Sequence, residues 1–258
     1  MPAATGNRIH AVVFDLGGTL VDFSDFPAVE EMATAARLSV DADALSHWFS
    51  QMKEENDRGG ETWTLEEFWR RVVEGAAGGP VAPQAWAEFY GAFSGYEFRP
   101  SLFSDVPLCL EQLKASQLKL GVVTNHISES SARQVLAHAG VLEFFDAVVA
   151  SGTERVAKPD PRIFQRGVDR LQVHPADALY VGDLPNTDVR GAERAGLHGL
   201  WLHRAGTGYG AEPPEITSLA ELPIWIAQFE VSGRGFHPGD SLLDDGTGGV
   251  PQRPHRRP

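Results

Sequence analysis

Apolar and polar positions along this chain follow two patterns, one typical of buried strands and one typical of amphipathic helices. Short apolar runs rich in Val, Leu and Ala occur at residues 10–14, 118–125, 145–150, 178–183 and 198–202. Runs of this length and composition predict strands buried on both faces of a sheet. Apolar residues recur at the spacing of an amphipathic helix in residues 106–116, 129–139, 161–171, 187–195 and 219–229.

The alternation of strands and helices after residue 100 predicts an α/β fold, a parallel sheet with helices on both faces. Right-handed crossovers then place the carboxyl ends of all strands along one edge. Residues 27–38, 42–56, 64–73 and 83–93 show helical spacing without intervening strands, and Thr64 to Glu67 has the pattern of a capping box. Their aromatic residues are interpreted as the core of a small helical bundle.

This pattern predicts three regions. Residues 8–22 and 100–230 form the α/β core, residues 23–99 form an inserted helical domain beside the active edge, and residues 231–258 are disordered. The last segment is rich in Gly, Pro, Asp and Arg and has few apolar residues.

Composition narrows the class of protein. The formal net charge of −13 over 258 residues argues against a nucleic-acid partner, which would require a basic face. The single cysteine, Cys109, cannot form an intrachain disulfide, which fits a reducing compartment. We find no signal-peptide pattern before residue 8 and no apolar run of membrane-spanning length. We therefore expect a soluble, cytoplasmic protein with no membrane partner.

Candidate chemistry begins at Asp15, which directly follows the first apolar run. A carboxylate at the end of a buried strand is costly to place, and ligands bind at this edge in α/β sheets. Gly17 and Gly18 let the backbone turn sharply and approach a ligand closely. The alternative interpretation is a strand that ends in an Asx-type turn.

Other strand ends bring further polar residues to the same edge. They are Thr124, Asn125, Lys158, Asp183 and Asp188. Each has an ordinary alternative, because the aspartates can cap a helix and the lysine can lie in a solvated loop. Together, three converging carboxylates repel one another, and a divalent cation resolves the repulsion. Oxygen ligands favour Mg²⁺, and a lysine and a hydroxyl beside it suit phosphoryl transfer to Asp15.

These motifs, in this order, resemble those of the haloacid dehalogenase-like (HAD) superfamily of hydrolases. Its pattern is Asp-x-Asp-x-Thr, then Ser/Thr, Lys and Gly-Asp-x-x-x-x-Asp, which correspond to residues 15–19, Thr124, Lys158 and residues 182–188. The resemblance implies a Rossmann-like core, a helical cap between the first two motifs, and a phosphatase that acts on a small phosphorylated substrate through an aspartyl-phosphate.

The resemblance also implies roles for individual residues. Asp15 is the nucleophile, Thr124 and Lys158 bind the phosphoryl group, and Asn125 is a further predicted substrate-binding residue. The Mg²⁺ ligands are Asp15, the Gly17 carbonyl, Asp183 and Asp188. In the cap, basic side chains are candidates to reach a substrate anion: Lys53, Arg58, Arg70, Arg71 and Arg99.

One position departs from the family pattern, because Gly17 replaces the aspartate that protonates the leaving group. Three interpretations remain open: a phosphatase in which water or another residue supplies the proton, a metal-independent 2-haloacid dehalogenase, and a weak binding or regulatory relative. The intact metal motif at residues 182–188 argues against a dehalogenase. His126 is a candidate proton donor, and its alternative is a loop histidine that faces solvent or caps the next helix.

Overall fold

The computed structural model describes residues 8–57, 63–96, 100–204 and 214–232, without the side chains of residues 56, 57 and 232. Six strands form a parallel sheet in the order β5-β4-β1-β6-β7-β8, and β2 pairs with β3 in a separate antiparallel ribbon. The strands are β1 (Ala11–Phe14), β2 (Val21–Asp22), β3 (Ser101–Leu102), β4 (Lys119–Thr124), β5 (Ala147–Ala150), β6 (Ala178–Gly182), β7 (His198–Leu202) and β8 (Glu215–Ile216).

Helices connect these strands and cover the sheet. They are α1 (Phe26–Ala35), α2 (Ala42–Asp57), α3 (Leu65–Ala76), α4 (Pro83–Gly95), α5 (Val106–Ala115), α6 (Glu129–His138), α7 (Ser151–Glu154), α8 (Pro161–Leu171), α9 (Arg190–Arg194) and α10 (Leu222–Ser232). The predicted α/β fold with a Rossmann-like parallel sheet is confirmed.

The central strand β1 shows why the sheet is buried on both faces. Its side chains alternate, so Val12 and Phe14 enter one apolar core together with residues of α5, α6 and α10. Ala11 and Val13 enter a second core with residues of α8 and α9. All four side chains of β1 are buried. The carboxyl end of β1 therefore lies in the middle of the sheet, between the ends of β4 and β6.

Helices α1 to α4 lie between β2 and β3 and have an apolar core of their own. Because β2 and β3 are antiparallel partners, the chain enters and leaves this helical segment at adjacent points. The predicted capping box is present, with Glu67 N donating to Thr64 Oγ1 at 3.2 Å and Thr64 N to Glu67 Oε2 at 2.8 Å. Aromatic side chains fill the segment, for example Trp69 and Phe93, whose ring centroids are 4.9 Å apart.

Several boundaries differ from the predicted ones. The strand β8 and the ribbon β2–β3 were not predicted, because each strand has two residues and shows no period. The helix predicted from residue 187 begins earlier, with a π-helical turn at Pro185–Val189 that continues into α9. The helix predicted over 219–229 is a 3-10 turn, Leu219–Glu221, followed by α10, so Val231 and Ser232 are helical. The rest of the predicted disordered tail, residues 233–258, lies outside the described residues. Within the described ranges, each helix is too short or too polar to cross a membrane.

Candidate active site

Strand ends bring three carboxylates together at the carboxyl edge of the sheet. Asp15 directly follows β1, and Asp183 directly follows β6, while Asp188 lies in the π-helical turn behind it. One oxygen from each carboxylate lies within 4.8 Å of the others. A cavity of about 950 Å³ opens over Asp15 and Asp183. The structure therefore brings together the carboxylates that the sequence predicted as a group.

Lys158 lies in the centre of this group and is only 2% exposed. Its Nζ donates to Asp15 Oδ1 at 2.6 Å, to Asp188 Oδ1 at 2.6 Å and to the Tyr180 hydroxyl at 3.0 Å. These three acceptors match the three N–H groups of an ammonium ion. The alternative of a solvated loop lysine is therefore wrong.

Thr124 is the last residue of β4 and Asn125 follows it, and both lie in the same site. Asn125 Oδ1 accepts from Lys158 N at 2.8 Å, and its Nδ2 donates to Lys158 O at 3.1 Å. Asn125 thus fixes the backbone that carries Lys158, and its predicted contact with substrate stays a prediction. Thr124 is buried and lines the cavity. This position is consistent with the predicted role of its hydroxyl.

Tyr180 belongs to the site although the sequence placed it simply in a strand. Its hydroxyl accepts from Lys158 and donates to Val123 O at 2.7 Å. The ring is fully buried in β6. The sequence did offer one indication, because a tyrosine in a buried strand needs a hydrogen-bond partner for its hydroxyl. The burial of the ring raises the pKa of Tyr180 well above its ordinary value, so the hydroxyl stays a neutral donor.

Two carboxylates of the site, Asp183 and Asp188, hold protons more tightly than ordinary aspartates. Burial, with the negative charges of Asp15 and Asp183, raises the pKa of Asp188 to about 7 against the opposing effect of Lys158. Burial and the charge of Asp15 also raise the pKa of Asp183. Burial alone would lower the pKa of Lys158, but Asp15 and Asp188 raise it above its ordinary value. With all three carboxylates ionised, the cluster would carry more negative charge than Lys158 balances, and the raised pKa values reflect this repulsion.

A second ammonium group reaches the cluster from the helical segment. Lys53, on α2, pairs with Asp183 Oδ2. Burial lowers the pKa of Lys53, but Asp183 and Asp15 together outweigh it and raise the pKa, so the group stays charged. Of the other candidate basic residues, Arg70 and Arg71 lie over the rings of Trp86 and Trp63, at 4.6 and 4.4 Å, and Arg58 and Arg99 lie outside the described residues.

The donor set of this cluster fits a divalent cation. Three carboxylates converge, and Asp183 Oδ1 is buried with no hydrogen-bond partner among the described residues. A buried carboxylate oxygen without a partner is unfavourable, and a cation satisfies it directly. Oxygen ligands of this kind are those that Mg²⁺ prefers. The residues that would hold the ion are Asp15, Asp183 and Asp188, with the carbonyl of Gly17 as the predicted further ligand.

The two glycines after Asp15 are explained by what surrounds them. Gly18 has φ of +76°, and a Cβ there would lie 2.3 Å from Asp183 Oδ2. Only glycine fits this position without moving the Asp183 carboxylate. At Gly17 a Cβ would lie 2.8 Å from Cδ2 of the Phe23 ring. The Phe23 ring therefore occupies the space next to Gly17 into which a side chain at that position would extend.

His126 neither faces solvent nor caps the next helix. It lies half-buried in the cavity wall beside Phe23, with ring centroids 6.2 Å apart, and its Nδ1 is buried without a partner among the described residues. Helix α6 is capped by Ser128 instead. Burial lowers the pKa of His126 below its ordinary value, so the ring is neutral near pH 7.

Comparison with known proteins decides the family. A family model described as haloacid dehalogenase-like hydrolase matches residues 9–196. The chain belongs to this family. The resemblance predicted from the motifs is thereby confirmed, and the chain is a HAD-like hydrolase.

The relatives of this HAD-like hydrolase include phosphatases and dehalogenases. It is 34% identical over 150 residues to a phosphoserine phosphatase of Thermus thermophilus, covering 58% of this chain and 57% of that one. It is 40% identical over 122 residues to a glyceraldehyde 3-phosphate phosphatase of Methanopyrus kandleri, covering 47% and 52%. The chain thus spans little more than half the length of these curated relatives. A solved 2-haloacid dehalogenase of Pseudomonas syringae has 25% identity and a TM-score of 0.58, covering 86% of this chain and all of the other.

Proposed function

We propose that this HAD-like hydrolase is a Mg²⁺-dependent phosphatase that hydrolyses a small phosphorylated metabolite through a phosphorylated Asp15. The observation that carries the proposal is the excess of carboxylate in the site. Three aspartates surround one buried lysine, and one carboxylate oxygen has no partner among the described residues. Such a site suits a metal and an anionic phosphoryl group, whereas displacement of a halide by a carboxylate needs no metal. The phosphatase relatives support the same choice.

The chain's own residues supply most of the chemistry. A carboxylate oxygen of Asp15 attacks phosphorus, the bond from phosphorus to the alcohol oxygen breaks, and that oxygen leaves with the electron pair and takes a proton from water. Water then hydrolyses the acyl phosphate, which returns Asp15 and releases inorganic phosphate. Lys158 places positive charge 2.6 Å from Asp15, where the phosphoryl oxygens approach. Thr124 donates its hydroxyl to one of these oxygens.

When bound, Mg²⁺ would neutralise charge on the phosphoryl group. The groups that would hold it are Asp15, Asp183, Asp188 and the Gly17 carbonyl.

We further propose that residues 23–99 act as a cap domain over a core of residues 8–22 and 100–230. The contact of Lys53 on α2 with Asp183 supports this role, because it joins the helical segment to the metal-binding carboxylate. The single cysteine still predicts a cytoplasmic location.

The test is a panel of phosphorylated compounds, including acetyl phosphate and 4-nitrophenyl phosphate, assayed with Mg²⁺ and with a chelator. We expect phosphate release that depends on Mg²⁺. Halide release from 2-haloacids in the presence of the chelator would establish the dehalogenase instead. Ligand-induced stabilisation without any turnover would establish the binding or regulatory relative.

A further inference from the structure

The cavity over Asp15 has two unlike walls. The wall from the sheet edge carries the polar and charged residues of the site, including Asp15, Lys158 and Asp183. The opposite wall comes largely from the helical segment and is aromatic. Its members are Phe49, Trp63, Phe68, Trp69, Phe93 and Tyr96. A group attached to a phosphoryl bound at Asp15 therefore has an aromatic surface within the same cavity.

This aromatic wall is held in place from behind. The ring of Phe49 packs edge-on against Phe68, with centroids 5.4 Å apart, and lies 5.7 Å from Trp69. Phe26 supports Phe49 from the other side at 5.4 Å. The aromatic residues that the sequence assigned to a helical core thus serve a second purpose, because the same cluster lines the cavity. A preformed apolar surface of this kind binds an apolar group without first having to be ordered.

Among the described residues, each lysine and arginine that lines the cavity already has a carboxylate partner. The lysines and arginines among the described lining residues are Lys53, Lys158 and Arg204. Each is paired with carboxylate: Lys53 with Asp183, Lys158 with Asp15 and Asp188, and Arg204 with Asp105. Asp22 lines the same cavity and adds negative charge. A carboxylate on the substrate would therefore be desolvated without a free lysine or arginine among the described lining residues to pair with.

The position that would normally protonate a leaving group is also apolar here. Gly17 carries no carboxylate, and the Phe23 ring occupies the adjoining space. Phe23 itself lines the cavity. The alcohol of the substrate thus leaves into apolar surroundings, against both Phe23 and the aromatic wall.

We propose that the substrate is a phosphate monoester of an uncharged alcohol that bears an aromatic ring or an apolar group of similar size. This inference rests on the proposed phosphatase function and names its substrate class. It sets this chain apart from a phosphatase for phosphorylated amino acids or sugar acids, whose substrates carry a second charge.

Phosphate esters with matched leaving groups test the effect of the ring separately from the effect of leaving-group basicity. Benzyl and ethyl phosphate both release an alkyl alcohol, but only one carries a ring, and 4-carboxybenzyl phosphate adds a charge to that ring. Burying a side-chain-sized ring is worth roughly 1.5–3 kcal/mol, so we expect kcat/KM for benzyl phosphate to exceed that for ethyl phosphate by roughly 10- to 100-fold. We expect 4-carboxybenzyl phosphate to lose most of this gain.

Two cap variants locate the effect. Phe49→Leu should reduce the benzyl preference by about two- to tenfold, since aromatic contacts are worth about 0.5–1.5 kcal/mol. Tyr90→Leu is the matched control, because Tyr90 belongs to the same aromatic cluster but is not among the residues that line the cavity. Circular dichroism and melting of both variants show whether the helical segment is folded, and Phe49→Met replaces Phe49→Leu if it is not.

Binding gives a readout that does not need turnover. Benzyl phosphate should raise the melting temperature of the wild-type protein with Mg²⁺ more than ethyl phosphate does at equal concentration. Turnover of all three esters with equal kcat/KM, or a preference for the carboxylated ester, overturns the substrate class while leaving the phosphatase intact. No turnover of any ester or of acetyl phosphate overturns the phosphatase, and the melting shifts then decide whether the cavity prefers an apolar phosphate ester.

Discussion

Two charge clusters at the carboxyl edge of the sheet, one buried and one half-buried, are built in opposite ways. In the site, Asp183 and Asp188 meet Asp15 around Lys158, and their pKa values are raised. Beyond Gly18 and Thr19, Asp105 and Arg204 form a bidentate pair at 2.9 and 3.1 Å, and the pKa of Asp105 is lowered. Burial acts in the same upward direction on all three aspartates.

The difference lies in the depth of burial, in the neighbouring carboxylates of the site, and in the donors around Asp105. Asp105 accepts from Arg204 and also from Ser218 Oγ at 2.7 Å and Leu219 N at 2.9 Å, which outweighs burial. Arg204 in turn donates to the Thr19 carbonyl at 2.7 Å. This pair is complete and holds the loop after Asp15 in place. In the site, Asp183 Oδ1 has no hydrogen-bond partner among the described residues, and raised pKa values like those of Asp183 and Asp188 are typical of functional clusters.

The largest effect is expected from removing the nucleophile. Asp15→Asn keeps the shape of the side chain, but an amide cannot attack phosphorus, so we expect kcat to fall by more than about 10³-fold. The control is Asp146→Asn, the same substitution in an ion pair with Lys114 outside the residues that line the cavity, which should keep turnover. Rates on 4-nitrophenyl phosphate and melting curves of both variants test this. Substantial turnover by Asp15→Asn would refute a phosphorylated Asp15.

The second prediction concerns the cation. Mg²⁺ should stabilise the wild-type protein by about 2.7 kcal/mol at a concentration 100 times its Kd. For a chain of this size that is a rise of roughly 5–10 °C in Tm. Asp183→Asn should lose most of this rise, because it removes a ligand whose Oδ1 lacks a partner among the described residues. Differential scanning calorimetry with Mg²⁺ and with a chelator measures it, and a wild-type Tm indifferent to millimolar Mg²⁺ contradicts the metal site.

The third prediction concerns the loss of the Asp105–Arg204 pair. Asp105→Asn leaves Arg204 without its carboxylate and should cost about 1–3 kcal/mol of unfolding free energy at pH 7. Since the pKa of Asp105 is lowered in the folded state, its contribution is complete above its unfolded pKa, about 3.9. It is lost as the pH falls through the lowered folded value. Denaturation curves should therefore separate wild type and variant at pH 7 and converge towards pH 3, and an equal separation at both pH values would contradict the role of this charge.

The sequence predicts the strand ends well and the contacts between distant segments poorly. Asp15, Thr124 and Asp183 are predictable because a strand's apolar run marks where its first polar residue falls, and parallel strands share an edge. Lys158 is located by its motif, but its complete burial is not. The contacts of Tyr180 with Lys158 and of Lys53 with Asp183 join residues 22 and 130 positions apart. These contacts depend on how α2 and the loop before α8 pack on the sheet. The local spacing of apolar residues along the sequence does not predict this packing.

The Phe23 ring lies beside Gly17, and this contact changes what can be expected from an aspartate at position 17. Because Gly17 carries no acid, the leaving group departs without a proton donor at this position. We therefore expect the wild-type protein to prefer an aryl ester such as phenyl phosphate over benzyl phosphate. These esters share a ring and differ in the basicity of the alcohol. A positioned acid contributes about 10²–10⁴-fold, mostly to the poorer leaving group.

The smallest effect is therefore expected from Gly17→Asp, which adds a fourth carboxylate to the cluster. Because a Cβ at this position lies 2.8 Å from the Phe23 ring, the single variant should change the phenyl-to-benzyl ratio of kcat/KM only slightly. Gly17→Asp with Phe23→Ala should lower the ratio further, yet by less than the roughly 10²-fold of a positioned acid. Phe23→Ala alone is the control for lost ring contact. If wild type shows no preference for phenyl phosphate, another residue donates the proton, and His126→Ala, in the same cavity wall, should then create the preference.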